Sequence, residues 1–293
     1  MNVITIPSSL DDQTFEQVLE QLAVLPPDAR VFVDARFTTW ASPYGLTALL
    51  TLGQTFQTRA TLLVPEKEDT LAYWARARFF EYAADLFELV GHVPVMREER
   101  ESGTLLEITQ VSRSDDVHTV VERVKDKAAH ILTQNLHLES RAVLGFAMTL
   151  SEACQEIVEH AGRGGWVCVQ NFNWKKRLDR SVVQIAVSHA GLTMRDRLAH
   201  DERRHTCERW DDGIALELEV IQGTSHFPDH GRGQGYKGMR GYLNKWQGKL
   251  SVRSGTARVA MVPAWDEDIP RRDGLTFFPG VQTLIVIPER AAP

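Results

Sequence analysis

Three ionisable residues, Glu152, Glu156 and His160, follow one another at intervals of four in the run Leu150-Ser151-Glu152-Ala153-Cys154-Gln155-Glu156-Ile157-Val158-Glu159-His160. That spacing puts them on one face of a helix. A carboxylate so placed can activate water or hold a hard metal ion, and a solvated stripe of charge is the plainer alternative. A second constellation is Gly231-Arg232-Gly233-Gln234-Gly235-Tyr236-Lys237-Gly238. Alternating glycines let backbone N–H groups turn toward an anion. A helix starting directly after them adds free N–H groups and a positive dipole end. This is the chemistry of a phosphate cradle, and a flexible surface turn is its competitor. The residues after it, Tyr236, Met239, Tyr242, Leu243 and Trp246, have helical spacing, with Lys237 and Arg240 in its early turns.

Between these two lie a strand-like run ending in His189-Ala190-Gly191 and a polar stretch reaching about His230. Arg195, Arg197, Arg203 and Arg204 either touch phosphates or pair with nearby acids such as Asp211 and Asp212. His200, His205, Cys207, His226 and His230 could bind zinc, but they match no compact finger pattern, and solvated loop residues are the favoured reading. Cys154 falls on a different face from the glutamates, which argues against a nucleophile there.

The elements needed to position these groups can be read in order. The first 112 residues alternate strand and helix: strands at Asn2–Pro7, Arg30–Ala35 and Ala60–Val64, and helices at Ser9–Leu25, Leu46–Thr58 and Asp69–Leu89. That alternation predicts an α/β sheet. LLEITQV reads as a further strand before the polar break at Ser112–Asp116. Residues 113–293 then read helix, helix, strands, loop, helix, strands, with helices at Val117–Leu136 and Glu139–Ala161. The strands fall at Trp166–Phe172, Ser181–Ser188, Gln247–Arg253, Ala257–Pro263 and Gln282–Ile287. The expectation is an α/β sandwich with one helical layer on a mixed or antiparallel sheet.

The chain of 293 residues suffices for two domains. Its net charge of −6 gives no support to nucleic-acid binding. Three cysteines without a CxxC pair fit a reducing cytoplasm. The N-terminal residues carry no signal-peptide pattern, and no window is apolar enough for a membrane span, so a cytoplasmic protein is expected.

Two resemblances follow from these residues. VFVDARFTTWASPYGLTALL resembles the strand, turn and helix of the STAS domains, the fold of anti-sigma-factor antagonists. In that family the turn carries a phosphorylated serine, and Ser42, Pro43 and Tyr44 fill its Asp-Ser-Ser positions here. Ser42 reads as a turn residue or helix cap. Residues 113–293 resemble the GHKL ATPases, the Bergerat-fold family of histidine kinases and anti-sigma serine kinases. SEACQEIVEHA looks like the N-box helix, VSHAGLTMRDRL like the first glycine box, and the stretch from ALELEV to KLSVRSG like the lid and second glycine box.

The resemblance implies ATP as ligand and Mg²⁺ as its ion. It gives Glu152 the place of the general base and Glu156 that of the metal-binding asparagine. His189 stands where the family has an adenine-binding aspartate, Gly191 is kept, and Thr193 replaces the second glycine. Gly231, Gly233, Gly235 and Lys237 fall to the phosphates. A neutral His189 ring can accept one bond from the adenine amine, and a protonated one cannot. The implied protein is a bacterial signalling component that binds a nucleotide as a switch, with weak or no hydrolysis. A scaffold with a degenerate pocket ranks second and an active anti-sigma-type serine kinase third. A protein partner is expected, and dimers are common among relatives of both modules, so a homodimer is the assembly suggested.

Overall fold

The fold is mixed α/β, with several helices on and between its sheets. The computed structural model describes residues 2–26, 29–94, 104–112, 122, 126–127, 129–134, 136, 138–175, 178–198, 210–223 and 235–289. Side chains at 141, 142, 144, 148, 149, 152, 235 and 237 lie outside that description.

Strands β1 (Asn2–Thr5), β3 (Val31–Asp34), β5 (Ala60–Leu63) and β6 (Phe87–Val90) form a parallel sheet in that order. A short parallel ladder joins β2 (Ser9–Leu10) to β4 (Trp40–Ala41). The first helix, α1, runs Phe15–Ala23, shorter than Ser9–Leu25, because Asp11 folds the preceding residues into a turn by accepting from the N–H groups of Gln13 and Thr14. Helix α2 (Pro43–Thr55) starts at Ser42, whose hydroxyl accepts from Gly45 N–H at 3.0 Å. The cap reading of Ser42 thus holds. The long helix expected over Asp69–Leu89 is two, α3 (Glu68–Arg76) and α4 (Phe79–Leu86), followed by β6. Arg78 between them has φ 61°, which breaks the helical path.

Leu105–Val111, strand β7, is the expected LLEITQV strand, but it pairs with β8 (Gly165–Asn173) of a second, larger sheet. That sheet has seven strands in the order β12 (Arg271–Arg272), β11 (Ala257–Met261), β10 (Lys249–Gly255), β13 (Phe278–Pro288), β9 (Ser181–His189), β8, β7. Its ladders are antiparallel throughout. The long helix α5 (Ser140–His160) and helix α8 (Gly235–Trp246) cover one face. Helices α6 (Met194–Arg197) and α7 (Asp212–Leu216), the latter running into a π-helical turn at Glu217–Ile221, complete that side.

The other face is not open. Helix α2 is buried at eleven of its positions, Pro43 to Gly53, which is the signature of a helix covered all round. Its apolar residues pack between the two sheets, and one continuous core runs from Ile4 and Leu49 to Trp166, Ala186 and Leu284. Several polar groups on this face of the larger sheet are paired, some of them with residues of the first helix and the turn before it. Arg253 and Arg258 are 0% and 2% exposed. Arg253 Nε donates to Glu16 at 2.6 Å, and Arg258 reaches Asp12 at 3.4 Å and Asp268 at 2.5 Å. Lys249 meets Asp12 at 3.5 Å and Asp268 at 2.9 Å. Burial works against the Lys249 ammonium, yet Asp12, Asp268 and Asp266 outweigh it and raise its pKa. Thr51 and Ser188 share a hydroxyl–hydroxyl bond of 2.6 Å.

Candidate functional site

Helix α5 buries Val143, Phe146, Ala147, Leu150, Cys154 and Ile157, a stripe at helical spacing that packs on the larger sheet. Glu156 and His160 are half-buried beside this stripe. The Glu152 backbone sits on the same helix, its side chain outside the described residues. Cys154 is fully buried and burial pushes its thiol up to about 12, so it stays protonated.

Glu156 forms an ion pair with Arg197, the last residue of α6, and Arg197 also donates to Glu219 at 3.1 Å. The Arg197 side chain is 1% exposed. Its position follows from local chemistry. Thr193 caps α6 in a reciprocal box with Asp196, and Met194 N–H bonds to Ser254 Oγ at 3.0 Å. The short helix is thereby pinned to β10 and its last residue turned inward. Burial raises the Glu219 carboxyl, while Arg197 pulls it back. Glu219 Oε2 has no partner among the described residues.

The consequence for the expected metal ligand is direct. The Glu156 carboxylate that was to face Mg²⁺ faces a guanidinium. Among the described residues no group of three or more His, Cys, Asp or Glu side chains is arranged to hold a metal ion. Thr193, read as a replaced glycine, is a helix cap.

His189 ends β9 and is 2% exposed. Burial lowers its pKa to about 3, so the ring is neutral. Its Nδ1 accepts from Gly191 N–H at 3.1 Å. A neutral imidazole has one acceptor nitrogen, so the proton sits on Nε2, which has no partner among the described residues. The ring therefore presents a donor. It cannot accept from an adenine amine in this arrangement.

Gly191 has a structural reason of its own. A Cβ there would collide with the carbonyl oxygen of His160, to which Leu192 N–H also bonds at 3.0 Å. Gly280, at φ +75°, passes the His189 carbonyl equally closely. The two glycines let three chain segments meet behind His189.

Helix α8 begins at Gly235, as the glycine run requires, and buries Met239, Leu243 and Trp246. It docks on α5 where Gly145 leaves room for the Tyr242 ring. Tyr236 Oη lies 3.4 Å from Thr283 Oγ1 on β13. Gly231 and Gly233 lie outside the described residues, as do His200, His205, Cys207, His226 and His230 and the Lys237 side chain.

The structure brings Glu156 and His160 to one side of the sheet with His189 and Gly191. The residue that sequence reasoning did not single out is Glu219, and Arg197 was read only as one of a basic run. Two members of that run pair with acids: Arg195 lies 3.3 Å from Asp212, and Arg197 joins two glutamates, while Arg203 and Arg204 lie outside the described residues. The signal available was composition alone, because the Glu219 partner is 22 residues from Arg197. No protein-family model and no curated protein matches the chain.

Proposed function

We propose that this chain is a regulatory signalling protein in which a GHKL-like unit binds a nucleotide as a switch without transferring its phosphate, with a STAS-like unit docked on the back of its sheet. The observation that carries this reading is Arg197 held between Glu156 and Glu219. Phosphoryl transfer needs a positioned Mg²⁺, a base and an acceptor. Glu156, at the metal position, is neutralised by a buried arginine. At the acceptor position of the first unit stands Pro43 beside Tyr44, which is buried and whose phenol burial pushes up. Support for a nucleotide comes from the glycine run that precedes α8 in the sequence, because the start of a helix carries the positive end of its dipole.

Titration calorimetry with ATP, ADP and GTP, each with and without Mg²⁺, tests the reading. Heat that is unchanged by Mg²⁺, with no phosphate released, is the expected result. A Gly233→Ala, Gly235→Ala double variant should lose that heat and keep its fold. Mg²⁺-dependent binding with turnover would overturn the proposal in favour of an enzyme. The His189 geometry favours a second reading, a scaffold whose pocket no longer takes an adenine; absence of heat with every nucleotide on a folded sample selects it.

A further inference from the structure

On the face of the larger sheet opposite α5 and α8, a cavity of about 290 Å³ opens at the junction of the two units. Trp40 and Gln13 reach it from the first unit, and Trp174, Gln184 and Lys249 from the second. Its charge is lopsided. Five carboxylates line it against two cations, Lys249 and Arg272. Lys249 is committed to Asp12, Asp266 and Asp268, while Arg272 reaches Asp268 at 3.7 Å and its Nε has no partner among the described residues. Arg258, just behind, is held by Asp12 and Asp268. Asp11, whose carboxylate closes its own turn, and Glu267 have no cation partner among the described residues, so the cavity presents surplus negative charge.

Gln184 on the floor is the second, independent observation. It is 4% exposed, and its Oε1 has no hydrogen-bond partner among the described residues. A buried amide oxygen left unsatisfied is costly, so such a group marks the place of a donor from elsewhere. The indoles of Trp40 and Trp174, both half-buried, add flat apolar surface of the kind that attracts cations.

We infer that this cavity binds a small organic cation, with an ammonium or guanidinium head that donates to Gln184 and answers the surplus carboxylates, and an apolar body against Trp40 and Trp174. The same charge count disfavours an anionic ligand. Because the walls come from both units, the bound cation would hold them together. A ligand that binds only the folded, docked state raises its stability by mass action. The site lies across the sheet from Arg197 and Glu156 and stands independently of the nucleotide reading.

The 293-residue chain would be titrated with benzylamine and with agmatine, following tryptophan fluorescence and the thermal unfolding midpoint. Benzyl alcohol, neutral and of like shape, and succinate serve as controls. The expected result is a saturable fluorescence change and a raised midpoint with both amines, at least tenfold weaker or absent with benzyl alcohol, and absent with succinate. Trp174→Ala, at a half-exposed position, should weaken amine binding about tenfold while unfolding stays cooperative, and Gln184→Leu should do the same. Equal response to benzylamine and benzyl alcohol would overturn the proposal and leave an unselective apolar crevice. So would amine binding unchanged in both variants, or no saturation at millimolar concentration on a folded sample.

Discussion

The two faces of the seven-stranded sheet are built on opposite principles. Toward α5 and α8 the sheet presents Val183, Ile185, Val187, Leu250, Val252 and Ile285, an ordinary apolar layer. Toward helices α1 and α2 it presents Lys249, Ser251, Arg253, Arg258, Gln184 and Ser188, all at least nine-tenths buried. The first face is held by non-directional burial. The second combines apolar packing from α2 with ion pairs that are tolerable only while every partner is present. Asp12 and Glu16 are thus matched to this sheet charge by charge, and a generic apolar patch would not replace them.

The largest effect should come from breaking a pair on the charged face. Arg253→Ala strands Glu16 in the junction and is expected to cost about 3–5 kcal/mol in chemical denaturation. Replacing both, Arg253→Met with Glu16→Leu, should recover most of that. A single-variant loss no larger than that of an exposed ion pair would mean that the face is wetter than its burial indicates. Val252, the neighbour of Arg253 on the same strand, points to the other face. Val252→Ala should cost about 2 kcal/mol from lost burial and a small cavity, and the loss should be the same at low and high salt. Salt dependence there would erase the contrast between the faces.

The smallest effect concerns a buried polar residue on the helix-covered side, His189. Its folded pKa, about 3, lies below the ordinary histidine value. The unfolded chain thus takes up a proton that the folded chain refuses. The associated stability is complete above the unfolded pKa and is lost as pH falls toward the folded one. Between pH 7.5 and 5.5 that amounts to about 1.4 kcal/mol. His189→Asn, which keeps an acceptor for Gly191 N–H, should flatten that part of the profile; an unchanged slope would place the titration elsewhere.

Much of the architecture was legible. The period-two runs of β8, β9, β10, β11 and β13 and the helical stripes of α5 and α8 lie where their residues predict, because regular burial leaves a regular pattern. The cap at Ser42 was readable from its side chain and the following Pro43. Strand β6 was absorbed into a helix, since Phe87, Leu89 and their neighbours continue an apolar rhythm and only the backbone at Arg78 breaks it. In the candidate site the sequence placed Glu156, His189 and Gly191 together by resemblance. It did not say that Glu156 would be claimed by Arg197, or His189 by Gly191 N–H, because those bonds depend on how short loops return to the sheet.

By itself, then, the sequence determined where strands and helices form, which residues alternate across β10, and that glycines precede α8. The alternation of Lys249, Ser251 and Arg253 with Leu250 and Val252 defines two faces but not what each meets. A polar face satisfied by water and one satisfied by buried carboxylates have the same pattern. Only the tertiary structure brought Asp12 and Glu16 across more than 230 residues of chain to that face, where charges removed from water need a partner at hydrogen-bond distance.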